Sequence, residues 1–486
     1  MSTRAPHVVV VGAGIAGLSA AWALTAATGS RRAPTRVSLL EAGPRIGGAL
    51  RTANLDGVEV DVGAEALLAR RPEAVALARA VGLGADLVHP AIAQASIWSR
   101  GALRALPAGT LLGIPGDLRA LAASGVLSLA ELARVPLDHY LPGGALEHDV
   151  AVGAWVGRRV GPAVVDRLVE PLLGGVYAGR ADQLSLEMAL PRLFAVARSE
   201  PSLLAAVRVV QAASPPHPAG APVFAGIHGG VGRLPAAVAA AITAHPGARL
   251  QTAATVRSLA RTPTGWRLTV GSAHAPERVD ADAVILAVPG PPAARLLADL
   301  VPAAAAELAL LDYASVVLIT LVLPGDAIPT GVRGSGFLVP PVERRLAKAA
   351  TFSTRKWAWS AQAAGGRTVV RVSVGRAGEE RDVQREDAEL VALARRELAA
   401  VAGVSGVPLA AEVTRWGGSL PQYAPGHREL VERLRASLQR HPTLALCGAA
   451  YDGVGVPACI ASGTAAGARV AAALAPERGS RESAGS

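Results

Sequence analysis

The chain has 486 residues, 51% of them hydrophobic and 18% charged. That is room for about three domain-equivalents, and the composition excludes global disorder. Two cysteines, Cys447 and Cys459, exclude a disulfide framework and a cysteine-cluster metal site, and they suit a reducing compartment. The net charge of +10 is carried almost wholly by arginine, because Lys348 and Lys356 are the only lysines. The surplus reads either as the bias of a GC-rich genome on a soluble surface or as attraction to membrane headgroups or a polycarboxylate. Aromatics are 3%, and no basic stretch is interleaved with stacking residues, so no nucleic-acid partner is expected.

Residues 8–28 are almost entirely apolar or small, with Arg4 upstream. Gly12, Gly14 and Gly17 divide this run into a buried strand (8–11) and a helix (15–27), which argues against a signal peptide or spanning helix. A polar loop (29–35) and a second strand (36–40) follow. Residues 72–205 are mostly helical in pattern, with segments at 73–81, 128–134, 150–156 and 163–168. A proline-rich connector covers 213–222, and a helix is predicted over 234–244. Strands are expected at 255–259, 266–271, 280–288, 316–323 and 368–374, and an amphipathic helix at 387–400. A short strand (443–447) precedes a glycine-rich loop, a final helix (459–473) and a frayed tail. No repeat with a period of 20–50 residues is present.

The sharpest signal is Gly12-Ala13-Gly14-Ile15-Ala16-Gly17 directly after four valines. Gly12 permits the tight turn, Gly14 lets a diphosphate approach the backbone, and Gly17 lets helix and strand pack closely. The helix N-terminus then offers free N–H groups and partial positive charge. Glu41 closes the second strand where a carboxylate can accept both hydroxyls of an adenosine ribose, which disfavours a 2′-phosphate. The turn after it contains Ala42, Arg45, Gly47, Gly48, Ala49 and Arg51, and suits the longer ribityl-diphosphate of FAD better than NAD. The competing reading of Arg45 and Arg51 is that they are solvated loop arginines. Gly63, Ala64 and Glu65 form a small-residue turn that could pass beside an isoalloxazine. Far downstream, Val454, Gly455 and Val456 open the last helix with a second glycine-rich turn, suited to the flavin pyrimidine edge. Both chain ends are therefore expected on one cofactor.

With these residues in place, the chain resembles the flavin amine-oxidase-like superfamily, and within it the protoporphyrinogen/coproporphyrinogen oxidases of haem synthesis. The likeness runs from about residue 7 to 473 and rests on three further segments. These are Pro171 to Gly179 with Leu184-Ser185-Leu186; Arg415-Trp416 with Pro421-Gln422-Tyr423 and Gly426-His427; and Gly453 to Ile460 with Ser462-Gly463. The resemblance implies an α/β fold: a Rossmann-like FAD-binding domain with an inserted mixed-sheet substrate domain and an α-helical domain that can touch the membrane. The expected division is 1–70, 226–295 and 416–475 for FAD; 71–105, 196–225 and 296–415 for substrate; 106–195 helical; and 476–486 a disordered tail.

The implied chemistry is six-electron oxidation of a porphyrinogen, with oxygen as acceptor and hydrogen peroxide released. Coproporphyrinogen III is preferred as substrate, since the composition suggests a high-GC Gram-positive source. The alternatives are protoporphyrinogen IX, an amine or carotenoid substrate, or a non-catalytic flavin-binding protein. The flavin does the chemistry, so no catalytic side chain is assigned. Gly175, through its carbonyl, and Arg71, through a propionate, are the expected substrate contacts; a plain loop glycine and a surface arginine are the competing readings. Trp416 and Val256 are placed beside the cofactor by resemblance, against readings as core residues. Residues 417–420 lack the cysteine of covalent relatives, so FAD is expected to be non-covalent. Cys459 is expected near a helix N-terminus, where a lowered pKa competes with a packing role. Glu65 and Ala66 replace the family's more usual small polar residues. No metal site is expected. Hand-over to a ferrochelatase, a monomeric or homodimeric state, and a cytoplasmic location with peripheral contact at the inner membrane face complete the expectations.

Overall fold

The computed structural model describes residues 4–26, 35–141, 146–213 and 222–475. The chain forms two compact units: Met1–Gly48, Pro235–Leu310 and Arg433–Ser486 in the first, and Ala49–Leu234 and Leu311–Glu432 in the second. Most of the polar loop and connector expected at 29–35 and 213–222, and the tail beyond 475, lie outside the described residues.

The first unit is built on a five-stranded sheet in the spatial order Ala248–Gln251, Arg36–Leu40, His7–Val11, Ala283–Leu286, Leu444–Leu446. Every neighbour is parallel. Such a sheet is covered on both faces, which is why its central strand is an unbroken valine run with no solvent exposure at Val8, Val9 or Val10. The chain moves to one side of this strand for Arg36–Leu40 and to the other for Ala283–Leu286. The strand order therefore reverses at His7–Val11, the position where open α/β sheets form a ligand crevice.

The single strand expected over 280–288 is instead two. Pro276–Ala281 completes an antiparallel sheet with Gly265–Gly271 and Val256–Thr262, whereas Ala283–Leu286 joins the parallel sheet. Asp282 makes the corner. Its N–H donates to the His7 carbonyl at 2.8 Å, and its carboxylate accepts the His7 N–H at 2.6 Å.

The second unit contains a seven-stranded mixed sheet, ordered Ala410–Pro421, Tyr313–Leu323, Thr368–Val374, Ala347–Phe352, Gly336–Leu338, Ser96–Ser99, Ala102–Ala105. Side chains alternate between its faces. One face, with Ile319, Leu321, Phe337, Ala350 and Val372, packs with Leu390, Ala394 and Leu398 of helix Asp387–Ala402. Thr320 and Arg371, cross-strand partners, belong to the other.

The helices expected at 73–81, 128–134 and 150–156 form at Pro72–Ala80, Leu129–Arg134 and Val152–Val160. Ser128 and Glu131 supply a reciprocal capping box for the second. The segment expected at 163–168 runs on through a π turn, Val165–Val169, into helix Glu170–Tyr177. Pro171 has no N–H to return to the preceding turn, which widens instead.

Candidate functional site

In the first unit the three glycines have different reasons to be glycine. A Cβ on Gly12, at φ +100°, would lie 2.6 Å from the Ala287 carbonyl oxygen, and one on Gly17 would lie 1.8 Å from that of Gly12. Packing forbids both. A Cβ on Gly14 would meet nothing within 4 Å, so there the small residue keeps a space open above the helix Ile15–Ala26. Glu41 spans the mouth of the turn: one carboxylate oxygen accepts the Ala13 N–H and the other the Gly43 N–H, each at 2.8 Å. Two lone-pair positions are left for further donors.

The next turn folds onto the first. The Gly47 N–H donates to the Ala13 carbonyl at 2.8 Å, and a Cβ on Gly48 would stand 3.4 Å from the Gly14 Cα. The Ala254 and Ala253 N–H groups donate to the carbonyls of Glu41 and Gly43, which carries Val256, at the start of its strand, alongside Ala42. Ile15 and Ala16 lie in the first helical turn; Arg45 is exposed beside its glycines, with Nη1 3.3 Å from the Ile46 carbonyl oxygen.

The last helix, Val456–Ala473, packs directly on the first. A Cβ on Gly463 would sit 2.0 Å from the Ala16 carbonyl oxygen, and one on Gly467 2.7 Å from that of Ala20. Both pairings advance by four residues, so the helices run parallel. The last helix extends about six residues, roughly 9 Å, beyond the start of the first. Two positive helix ends thus point the same way at staggered heights. Val454 and Gly455 form the second of these turns, after Gly453 at φ +138°.

The last helix starts earlier than the expected residue 459, because Pro457 suits its first turn. Cys459 is consequently inside the helix and buried, and burial pushes its thiol up to about 12 rather than down. Cys447 is raised for the same reason.

In the second unit, Ala49, Gly63, Ala64, Glu65 and Trp416 come together. The Ala64 N–H donates to the Ala49 carbonyl at 2.9 Å, and a Cβ on Gly63 would lie 2.0 Å from that same oxygen. Trp416 donates through Nε1 to the Val62 carbonyl at 2.9 Å. Glu65 is a node. Its Oε1 accepts from Ser353 Oγ (2.9 Å) and Trp357 Nε1 (3.0 Å), its Oε2 accepts from Lys356 Nζ (3.1 Å), and Arg371 Nη1 forms an ion pair with Oε2 at 3.1 Å. Burial alone would raise this carboxyl, but the Lys356 and Arg371 charges prevail and hold it at about 2. Nearby Asp61 accepts from Thr52 Oγ1 and the Val231 N–H, yet burial prevails there and raises it to about 6. Sequence reading missed the four partners of Glu65. The rarity of lysine in this chain was the one available signal for Lys356.

Gly175 lies in the exposed last turn of helix Glu170–Tyr177, where a carbonyl has run out of intrahelical donors. Its neighbours are firmly held: the Ala377 N–H donates to the Ala178 carbonyl at 2.7 Å, and Gln422 Nε2 to the Tyr177 carbonyl at 2.8 Å. The Tyr177 and Tyr423 rings meet edge-on at 5.7 Å, so two of the sequence motifs converge. Arg71 stands just before helix Pro72–Ala80, half exposed, with its guanidinium forked onto Glu73 at 2.6–3.2 Å. Arg51 pairs with Glu412 at 3.2 Å. Among the described residues no group of His, Cys, Asp or Glu is arranged to hold a metal ion, and no helix is long and apolar enough to cross a membrane.

These features fit a flavin, and comparison with known proteins agrees. A family profile for flavin containing amine oxidoreductases matches residues 15–471. The coproporphyrinogen III oxidase of Mycobacterium leprae is 39% identical over 456 residues, 93% of this chain and 95% of that protein. That of Bacillus subtilis is 31% identical, covering 96% and 98%. A crystal structure assigned as a protoporphyrinogen oxidase from Exiguobacterium sp. 255-15 superposes with a TM-score of 0.82 at 30% identity, covering 97% of this chain and 99% of the other. The family profile spans nearly the whole chain and the relatives align over almost all of theirs, so the chain belongs to the flavin-containing amine oxidoreductase family.

Proposed function

We propose that the protein is an FAD-dependent coproporphyrinogen III oxidase, which removes six electrons from its substrate and passes them to three molecules of oxygen, giving coproporphyrin III and hydrogen peroxide. The single observation that carries this reading is near full-length identity of 39% and 31% to two coproporphyrinogen III oxidases. When bound, FAD supplies a two-electron acceptor. The chain's own groups bind and orient. Gly12, Ala13, Gly14, Ile15, Ala16 and Gly17 are proposed to receive the diphosphate; Glu41 the adenosine ribose, with Ala42 and Val256 beside the adenine; and Arg45 and Gly48 the phosphate charge. Val454, Gly455 and Val456 are proposed to face the flavin's pyrimidine edge, and Ala49, Gly63, Ala64, Glu65 and Trp416 to complete the set.

The Gly175 carbonyl would accept pyrrole N–H groups. Arg71 would have to exchange Glu73 for a propionate. Because a porphyrinogen becomes aromatic on oxidation, positioning suffices and no strong side-chain base is required. FAD is held non-covalently, in keeping with two buried cysteines. The three-part division expected from the sequence, a cytoplasmic location with peripheral contact at the inner membrane face, and hand-over of product to a ferrochelatase belong to the same proposal.

The test is a side-by-side rate measurement on both porphyrinogens, following porphyrin fluorescence and peroxide. Faster turnover of coproporphyrinogen, with one peroxide per two electrons, is expected. Preference for protoporphyrinogen would favour the second reading, which the Exiguobacterium structure supports. Activity on neither would sink both.

A further inference from the structure

We propose that Glu65 is a positioning residue: its carboxylate fixes the turn at residues 62–65 against the mixed sheet, and the main chain of that turn, not the carboxylate, meets the flavin. This deepens the flavin reading and rests on it.

An ionised carboxylate has about four acceptor positions. In Glu65 three are filled from within the second unit by Ser353, Trp357 and Lys356, and Arg371 Nη1 stands at ion-pair distance, 3.1 Å, beside Oε2. Little is left for a ligand donor. The same groups fix the turn residue by residue. Arg371 Nη2 donates to the Gly63 carbonyl at 2.5 Å while Nη1 holds Glu65. Trp416 holds the Val62 carbonyl, the Val62 N–H donates to Arg51, and the Ala64 N–H donates to Ala49.

Arg371 gives up local satisfaction to do this. Its Nε is buried without a hydrogen-bond partner, as is Oγ1 of Thr320, its cross-strand neighbour. Buried charges of this kind often do no better than apolar packing of the same volume, and the role this proposal gives them is to define one conformation of the turn.

The experiment titrates apoprotein with FAD, following flavin fluorescence and the fine structure of the absorption band near 450 nm. Glu65→Gln, Lys356→Met and the double variant are compared with wild type, and folding is checked by circular dichroism. A positioning role predicts that each single variant weakens FAD binding at least tenfold and alters the band, with the double variant no worse than the singles. Direct contact predicts that Lys356→Met, which leaves the carboxylate in place, binds FAD like wild type. That result overturns the proposal, as does wild-type affinity in Glu65→Gln. Should Glu65→Gln not fold, Lys356→Met and Ser353→Ala give the same reading. Failure of the wild type to bind FAD overturns the flavin reading itself and is distinguishable on that ground.

Discussion

Gly14 and Gly17 sit three residues apart in one motif, yet substitution should separate them. Alanine at Gly17 drives a methyl into the Gly12 carbonyl oxygen, 1.8 Å away, so something must shift. Gly17→Ala is expected to lower the thermal midpoint of the apoprotein by several degrees. Alanine at Gly14 meets open space in the protein, so Gly14→Ala should leave apoprotein melting within about a degree of wild type. If the diphosphate occupies that space, Gly14→Ala still loses at least tenfold in FAD affinity. Equal effects of both variants on apoprotein melting would contradict the cradle.

Lys348 offers a second test at this scale. It is the extra residue where the strand Ala347–Phe352 bulges against Thr368–Val374. Burial, reinforced by the Arg376 charge, lowers its pKa from 10.5 to about 7. Between those two values the unfolded chain binds a proton that the folded chain does not, so this residue makes stability rise with pH from about 7 towards 10.5. Lys348→Met should remove that slope and raise the melting temperature at pH 7. A slope unchanged in the variant would assign it elsewhere.

At the level of elements, the helical region holds a buried ionic tie. Asp138 accepts from Arg159 Nε at 2.6 Å, Ser202 Oγ at 2.7 Å and the Leu204 N–H at 2.9 Å, with both ionic side chains almost fully buried. It joins the 3-10 turn Val135–His139 to helix Val152–Val160 and to the start of helix Leu203–Ala212. Asp138→Ala strands a buried guanidinium and should cost about 3–5 kcal/mol in urea unfolding. A loss below about 1 kcal/mol would show that the site relaxes and admits water.

Elements were legible where one physical signal dominated. His7–Val11 carries an unbroken valine run and Thr368–Val374 has four valines in seven residues, so β-branched composition and length alone find both. The run over 280–288 misled because no glycine or proline separates Asp280-Ala281-Asp282 from the apolar stretch after it, while the turn there is made by a tertiary bond to His7 that no local pattern announces. The π turn before Pro171 escaped for a related reason: proline reads as a stop, and only packing shows that the helix continues.

Across the whole molecule, the cradle of the first unit was legible because glycine spacing encodes backbone geometry directly. The Glu65 node was not, because its partners stand near residue 355 and at Arg371, about 290 to 306 positions away, and become neighbours only in the folded sheet. The charge of +10 also acts at this scale. A substrate with four carboxylates should be drawn in by the field, so its KM is expected to rise with salt more steeply than that of a two-carboxylate porphyrinogen, with kcat unchanged. Identical salt dependences would remove the field from the account.

The order in which the parallel sheet draws its strands has a consequence for biosynthesis. Its edge strand, Leu444–Leu446, and the helix buttressing the amino-terminal turn, Val456–Ala473, leave the ribosome after the other four strands of that sheet. Until then Ala283–Leu286 exposes an unpaired hydrophobic border, the kind of surface that chaperones recognise. Nascent chains stalled before residue 440 should therefore bind trigger-factor-like holdases and carry no colour, with yellow acquired only after release.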